Sequence, residues 1–129
     1  MERHSERDPI LVDAVDRGAA VARLDSGSSD PAAIFALAER SCRAALAGAA
    51  APMLTSIATV PCTNSFTYIR PGNGDLEAVA AVELEIVDDF VDALGRDGRI
   101  TALVKVLVFD DHGEAVARAS FDWVVLHRE

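Results

Sequence analysis

The groups in this sequence that could do chemistry are few and scattered. Three histidines, His4, His112 and His127, fall near a terminus, in a turn signal and near the chain end. Of two cysteines, Cys42 lies in a helical pattern and Cys62 follows a proline. Neither set has the spacing of a metal site. No phosphate-binding glycine loop and no G-x-S-x-G elbow is present. Cys42 borders an apolar helix face and reads as core, not as a nucleophile. Among the carboxylates, Glu39 stands out by pattern. It precedes Arg43 by four residues, the orientation that favours an ion pair on a helix. On residue types alone, a surface pair is the simplest reading of Glu39.

A helix over residues 31–47 would carry this pair. Ser28, Ser29 and Asp30 are N-cap types, and Pro31 suits the first helical position. Ile34, Leu37, Ala38, Ser41 and Ala45 recur at helical spacing and define the buried face. Glu39, Arg40 and Arg43 fall on the other side or its border. Gly48 and the Ala-Ala-Ala-Pro after it mark the end. Before the helix, residues 10–15 and 19–24 read as two strands around Asp16-Arg17-Gly18, with a short helix over 9–15 as the competing reading. After it, 54–60 and 63–69 read as strands interrupted at Pro61, which suits an edge, a bulge or a strand start. Arg70-Pro71-Gly72-Asn73-Gly74 is the strongest turn signal. Residues 76–87 read as a long strand with Glu83 and Glu85 on one face. Residues 88–98 read as a polar connection in which Phe90, Val91 and Leu94 allow one helical turn. Residues 100–109 form a central strand, Asp110-Asp111-His112-Gly113 a hairpin turn, and 115–126 the last strand. The class is α+β.

Composition bounds the partners. The 129 residues suit one domain, here 10–129, after a flexible 1–9. The net charge is −9, and the longest basic run, counting histidine, is two residues. Nucleic-acid binding and a polybasic membrane surface are disfavoured. No apolar run reaches membrane-spanning length, and two cysteines without a secretion signal make no disulfide framework. A cytoplasmic protein is expected, with no cofactor and no metal.

The order of elements resembles the hotdog fold, a long central helix wrapped by a curved antiparallel sheet. Ala33-Ile34-Phe35-Ala36-Leu37-Ala38-Glu39 is similar to the hotdog helix of the phenylacetate-degradation and 4-hydroxybenzoyl-CoA types of thioesterase. In those families a Gly-Gly-apolar run ends in Leu-Ala and then Asp or Glu. Thr67-Tyr68-Ile69-Arg70-Pro71 resembles their strand end. Gly98-Arg99 and Asp110 to Ala117 resemble their last hairpin. The long connection at 88–98 is more like the uncharacterised branches of the superfamily.

The resemblance implies an acyl-CoA or similar thioester as ligand and a homodimer that can assemble into a tetramer. It makes Glu39 the carboxylate that activates water or attacks the acyl carbon. It makes a backbone N–H at the helix start the oxyanion donor. Where the families have His-Gly-Gly, however, this chain has Asp30-Pro31-Ala32. Proline has no N–H. Either Ala32 or Ala33 donates instead, or efficient hydrolysis is lost and the protein is a non-catalytic acyl- or CoA-binding module. Asp30 would repel an oxyanion unless turned inward as the N-cap. A polar helper on the neighbouring strand aligns with Pro61. Thr59 and Thr63 would share its face on a regular strand, and Thr63 and Asn64 are the candidates. Arg99 and Arg70 are candidates to meet a CoA phosphate, with a solvated turn residue as the simpler reading of each.

Overall fold

The computed structural model describes residues 10–16, 18–24, 31–50, 57–71 and 74–127. The elements run β1 (Ile10–Asp16), β2 (Ala19–Leu24), α1 (Pro31–Ala49), β3 (Ile57–Tyr68), β4 (Leu76–Val82), α2 (Leu84–Asp97), β5 (Arg99–Phe109) and β6 (Ala115–His127). The strands form one antiparallel sheet in the order β1-β2-β4-β5-β6-β3. Helix α1 packs against β1, β2, β4, β5 and β6, and α2 packs against β5 and β6.

Small side chains set how α1 meets the sheet. Its expected face, Ile34, Leu37, Ala38, Ser41 and Ala45, is buried. Across from it, Ala20, Ala22, Ala78, Ala80, Ala102 and Ala117 are buried on the strands. Alanine on both surfaces lets backbones approach closely, and the larger Val104, Val106, Phe121 and Trp123 fill the remaining space. Ser41 stays satisfied inside this core by donating to the Ala38 carbonyl at 2.7 Å. The helix runs past Gly48 to Ala49, because Ala49 and Ala50 are themselves buried and Ala50 N–H bonds the Leu46 carbonyl at 3.0 Å.

Two expectations are corrected. The long strand over 76–87 stops at Val82, and residues 84–97 are helical. The segment carries both periods. Alternation at 82, 84 and 86 mimics a strand, while Val87, Phe90, Val91 and Leu94 stand at i, i+3, i+4 and i+7. The helical period prevails, burying Phe90, Ala93 and Leu94. The Gly98 N–H closes α2 on the Leu94 carbonyl at 2.8 Å. Second, the two strands expected around Pro61 are one. Strand β3 pairs with β6 throughout, and its register slips between Pro61 and Thr63. As an edge strand it tolerates both the proline and the bulge.

The last hairpin is closed as its sequence suggests. Asp110 N–H bonds the Glu114 carbonyl at 2.9 Å, and Gly113, at φ 76°, donates to the Asp110 carbonyl at 2.9 Å. The Asp110 carboxylate accepts from the backbone N–H groups of His112 and Glu114, at 2.9 and 3.1 Å. These bonds explain its burial.

Candidate functional site

Ala36, Glu39, Arg40 and Arg43 repeat at intervals of three and four along the outward stripe of α1. With Ile10 of β1 they line an open cleft of about 340 Å³. The Glu39 side chain is 33% exposed, so a ligand can reach it. Arg43 Nη2 lies 3.7 Å from Glu39 Oε2, an ion pair without hydrogen-bond contact. The Arg43 guanidinium also sits 5.5 Å above the Trp123 ring, within cation–π range. Glu39 therefore has a cation beside it, and that cation is held from below by the sheet.

Phe35, one turn earlier, contacts Phe121 and Phe66 with ring centroids 5.6 and 5.2 Å away. Glu39 thus lies along β6 between the levels of Phe121 and Trp123. At this level the bulge decides what the edge strand presents. Asn64 is opposite Phe121, so it is on the α1 face with Phe66 and Tyr68. Thr63 is opposite Asp122, and its hydroxyl donates to the Asp122 carboxylate at 2.8 Å, on the outer face. Thr59 and Pro61 precede the slip and are opposite Val125 and Trp123, on the α1 face. A regular alternation joins Thr59 to Thr63; the extra residue instead puts Asn64 on the α1 side of the sheet with Thr59.

At the helix start, Ala32 is exposed and Ala33 half-buried, while Asp30 lies outside the described residues. The Pro31 carbonyl accepts the Tyr68 hydroxyl at 3.0 Å. Pro31, Ile34, Tyr68, Ile69, Arg70 and Pro71 line a second cleft of about 370 Å³. Arg70 pairs with Glu114. Arg99 is elsewhere. It is exposed at the first position of β5, opposite Leu126, whereas Tyr68 and Pro31 belong to the end near Ala117 and Val108. The two ends of β5 are roughly 33 Å apart at ~3.3 Å per residue.

Cys42 is fully buried behind Glu39. Burial pushes its thiol up to about 12. The Trp123 indole pulls the other way, though without the geometry of a full hydrogen bond: Nε1 is buried with no hydrogen-bond partner. The Glu39 carboxylate adds to the rise. A thiol in this position is neither nucleophile nor ligand at neutral pH. Among the described residues no group of three or more His, Cys, Asp or Glu could hold a metal. No helix among them is long and apolar enough to cross a membrane.

Sequence reading did not single out Trp123 or Tyr68. Their partners, Arg43 and Pro31, lie far away along the chain, and no local spacing reports such contacts.

No protein-family model and no curated protein matches the sequence. Solved structures do. A Pseudomonas aeruginosa protein of unknown function, termed a probable thioesterase, matches with a TM-score of 0.73 at 16% identity, over 95% of this chain and 86% of that one. A Streptococcus mutans protein bound to acetyl CoA matches with a TM-score of 0.67 at 18% identity, over 95% and 92%. The PaaI protein of the Escherichia coli phenylacetic acid degradation operon matches with a TM-score of 0.66 at 19% identity, over 93% and 79%. With its long α1 on one antiparallel sheet, matched over nearly all its length in these structures, the chain has the α+β hotdog fold.

Proposed function

We propose that this protein hydrolyses an acyl-CoA or similar thioester, with Glu39 as the carboxylate that activates water. One observation carries the reading. Glu39 is mid-helix on the outward stripe of α1, half-exposed in a cleft with an arginine beside it. The acetyl CoA bound by the structurally similar S. mutans protein supports the ligand class. In this reading Asn64, which is on the α1 side of the sheet, is the polar group that the edge strand contributes. Ala32 and Ala33 follow Pro31 in the first turn of α1, where this reading puts the acyl carbonyl. Thr63 and Arg99 are placed away from this cleft, and in this reading they serve other parts of a large ligand or the assembly.

The proposal includes a homodimer. Strand β3 is an edge of twelve residues whose outer side has no partner among the described residues. Long open edges invite pairing with another chain, and Val60, Tyr68 and Ile69 beside it are exposed. A tetramer would join outer sheet faces, where Val79 and Leu107 are directly opposite and exposed. Sedimentation of a stable monomer at micromolar concentration would count against both.

The decisive experiment measures CoA thiol release from acyl-CoA esters of several chain lengths by wild type and Glu39→Gln. Loss of a general base lowers the rate by about 10²–10⁴-fold. Equal rates in the two proteins would sink the reading. A second reading, a non-catalytic module that binds acyl-CoA, is favoured by Pro31, which removes the first backbone donor. It requires thermal stabilisation by acyl-CoA without turnover.

A further inference from the structure

Pro31 has no N–H to donate, and Arg43 lines the same cleft as Glu39. We propose that the Arg43 guanidinium is the oxyanion-stabilising group of the hydrolysis, taking the part that a backbone N–H at the helix start would otherwise play. The inference rests on the hydrolase reading above and adds a second catalytic residue to it.

Three observations place it there. Arg43 and Glu39 line one cleft, one helical turn apart, so a carbonyl whose carbon faces Glu39 can turn its oxygen toward Arg43. The ion pair is 3.7 Å long, so Glu39 does not consume the guanidinium N–H groups in hydrogen bonds. The guanidinium carbon is 5.5 Å from the centre of the buried Trp123 ring, a contact that anchors Arg43 on the sheet, while its side chain stays 51% exposed and open to a ligand. A donor fixed before the charge develops needs no reorganisation when it does. Arg40 lines the cleft too, but Arg43 is the arginine seated on the ring.

The step balances without a co-reactant other than water. The Glu39 carboxylate takes a proton from water as the water oxygen bonds to the thioester carbon. The carbonyl π pair moves onto oxygen, and the oxyanion forms against Arg43. Its collapse re-forms the carbonyl and breaks the C–S bond, with the bonding pair leaving on sulfur. The proton on Glu39 passes to that thiolate. The products are a carboxylic acid and a free thiol.

The test compares wild type, Arg43→Ala, Arg43→Lys and Glu39→Gln on acetyl-, octanoyl- and benzoyl-CoA. For Arg43→Ala, kcat should fall by about 100- to 1000-fold, the effect of removing one oxyanion donor, with KM little changed. Arg43→Lys keeps the charge and should lie between. Guanidinium ion, at millimolar concentrations too low to denature, should restore part of the kcat of Arg43→Ala and none of that of Glu39→Gln. A purely structural role would show no such rescue. If Glu39→Gln is inactive while Arg43→Ala keeps wild-type kcat, the assignment of Arg43 is overturned and hydrolysis through Glu39 stands. Loss of activity in Arg43→Ala without rescue, together with a lowered melting temperature and full activity in Arg43→Lys, also overturns it. Absence of thioester turnover in wild type removes both readings.

Discussion

Cys42 offers a quantitative check on the packing behind the candidate site. Its thiol is fully buried and pushed from 9.0 up to about 12. The sign follows from which state holds the proton. Above pH 9 the unfolded chain releases it, while the folded chain keeps it until about pH 12, so stability falls as pH rises through that window. Below pH 9 both states are protonated and Cys42 contributes no pH dependence. Three pH units at ~1.36 kcal/mol each give a loss of about 4 kcal/mol by pH 12, and about 3 kcal/mol by pH 11. Cys42→Ala removes the titration and leaves a small void, at a cost of about 1–2 kcal/mol that does not vary with pH. At pH 7 the variant should therefore be the less stable protein. As pH rises its deficit should shrink, and the two stability curves should cross between about pH 9.5 and 10.5. Urea unfolding of both proteins from pH 7 to 11, followed by circular dichroism, reads this difference directly. Titration of other groups is common to both and cancels. Parallel curves across the whole range would refute the burial argument, and with it the exclusion of Cys42 from chemistry. A thiol reagent supplies a companion reading: buried Cys42 should react only on unfolding.

Two further substitutions probe the frame around the site. Gly74→Ala should cost about 2–3 kcal/mol, since its Cβ would lie 2.8 Å from that of Asp111 at φ 74°. Gly113→Ala has the same φ penalty but open space, and should cost about 1 kcal/mol by denaturant titration. Tyr68→Phe keeps the ring against Phe66, at 4.8 Å, and loses the bond to the Pro31 carbonyl. Because Tyr68 is 48% exposed, the loss should be only about 0.5–1 kcal/mol, a fall of roughly 2–5 °C in Tm by calorimetry.

The hotdog order was legible because its parts announce themselves locally. The α1 face repeats at helical spacing over Ile34 to Ala45, and the turns at 70–74 and 110–113 carry their own residue types. What stayed hidden was tertiary. Residues 82–94 satisfy two periods at once, and only the burial of Phe90 and Leu94 selects the helix. The pairing of Tyr68 with Pro31 joins positions 37 residues apart, for which no sequence spacing is diagnostic.

The bulge in β3 shows why the candidate site was harder to read than the fold. A fold survives one inserted residue, because β3 and β6 resume pairing beyond it. A site does not, because side chains alternate between faces, and one added residue exchanges them all. Thr63 thereby moves to Asp122 on the outer face, and Asn64 takes the side of the sheet that faces α1. The same distinction applies to Pro31. As a helix start it is a good residue, with a fixed φ and no N–H to leave unsatisfied. For an oxyanion that missing N–H is the deficiency. Hydrolysis through Glu39 therefore needs another group to make good the loss, and without one the protein would bind a thioester and not turn it over. The group that the structure places beside Glu39, charged and held on an aromatic ring, is Arg43.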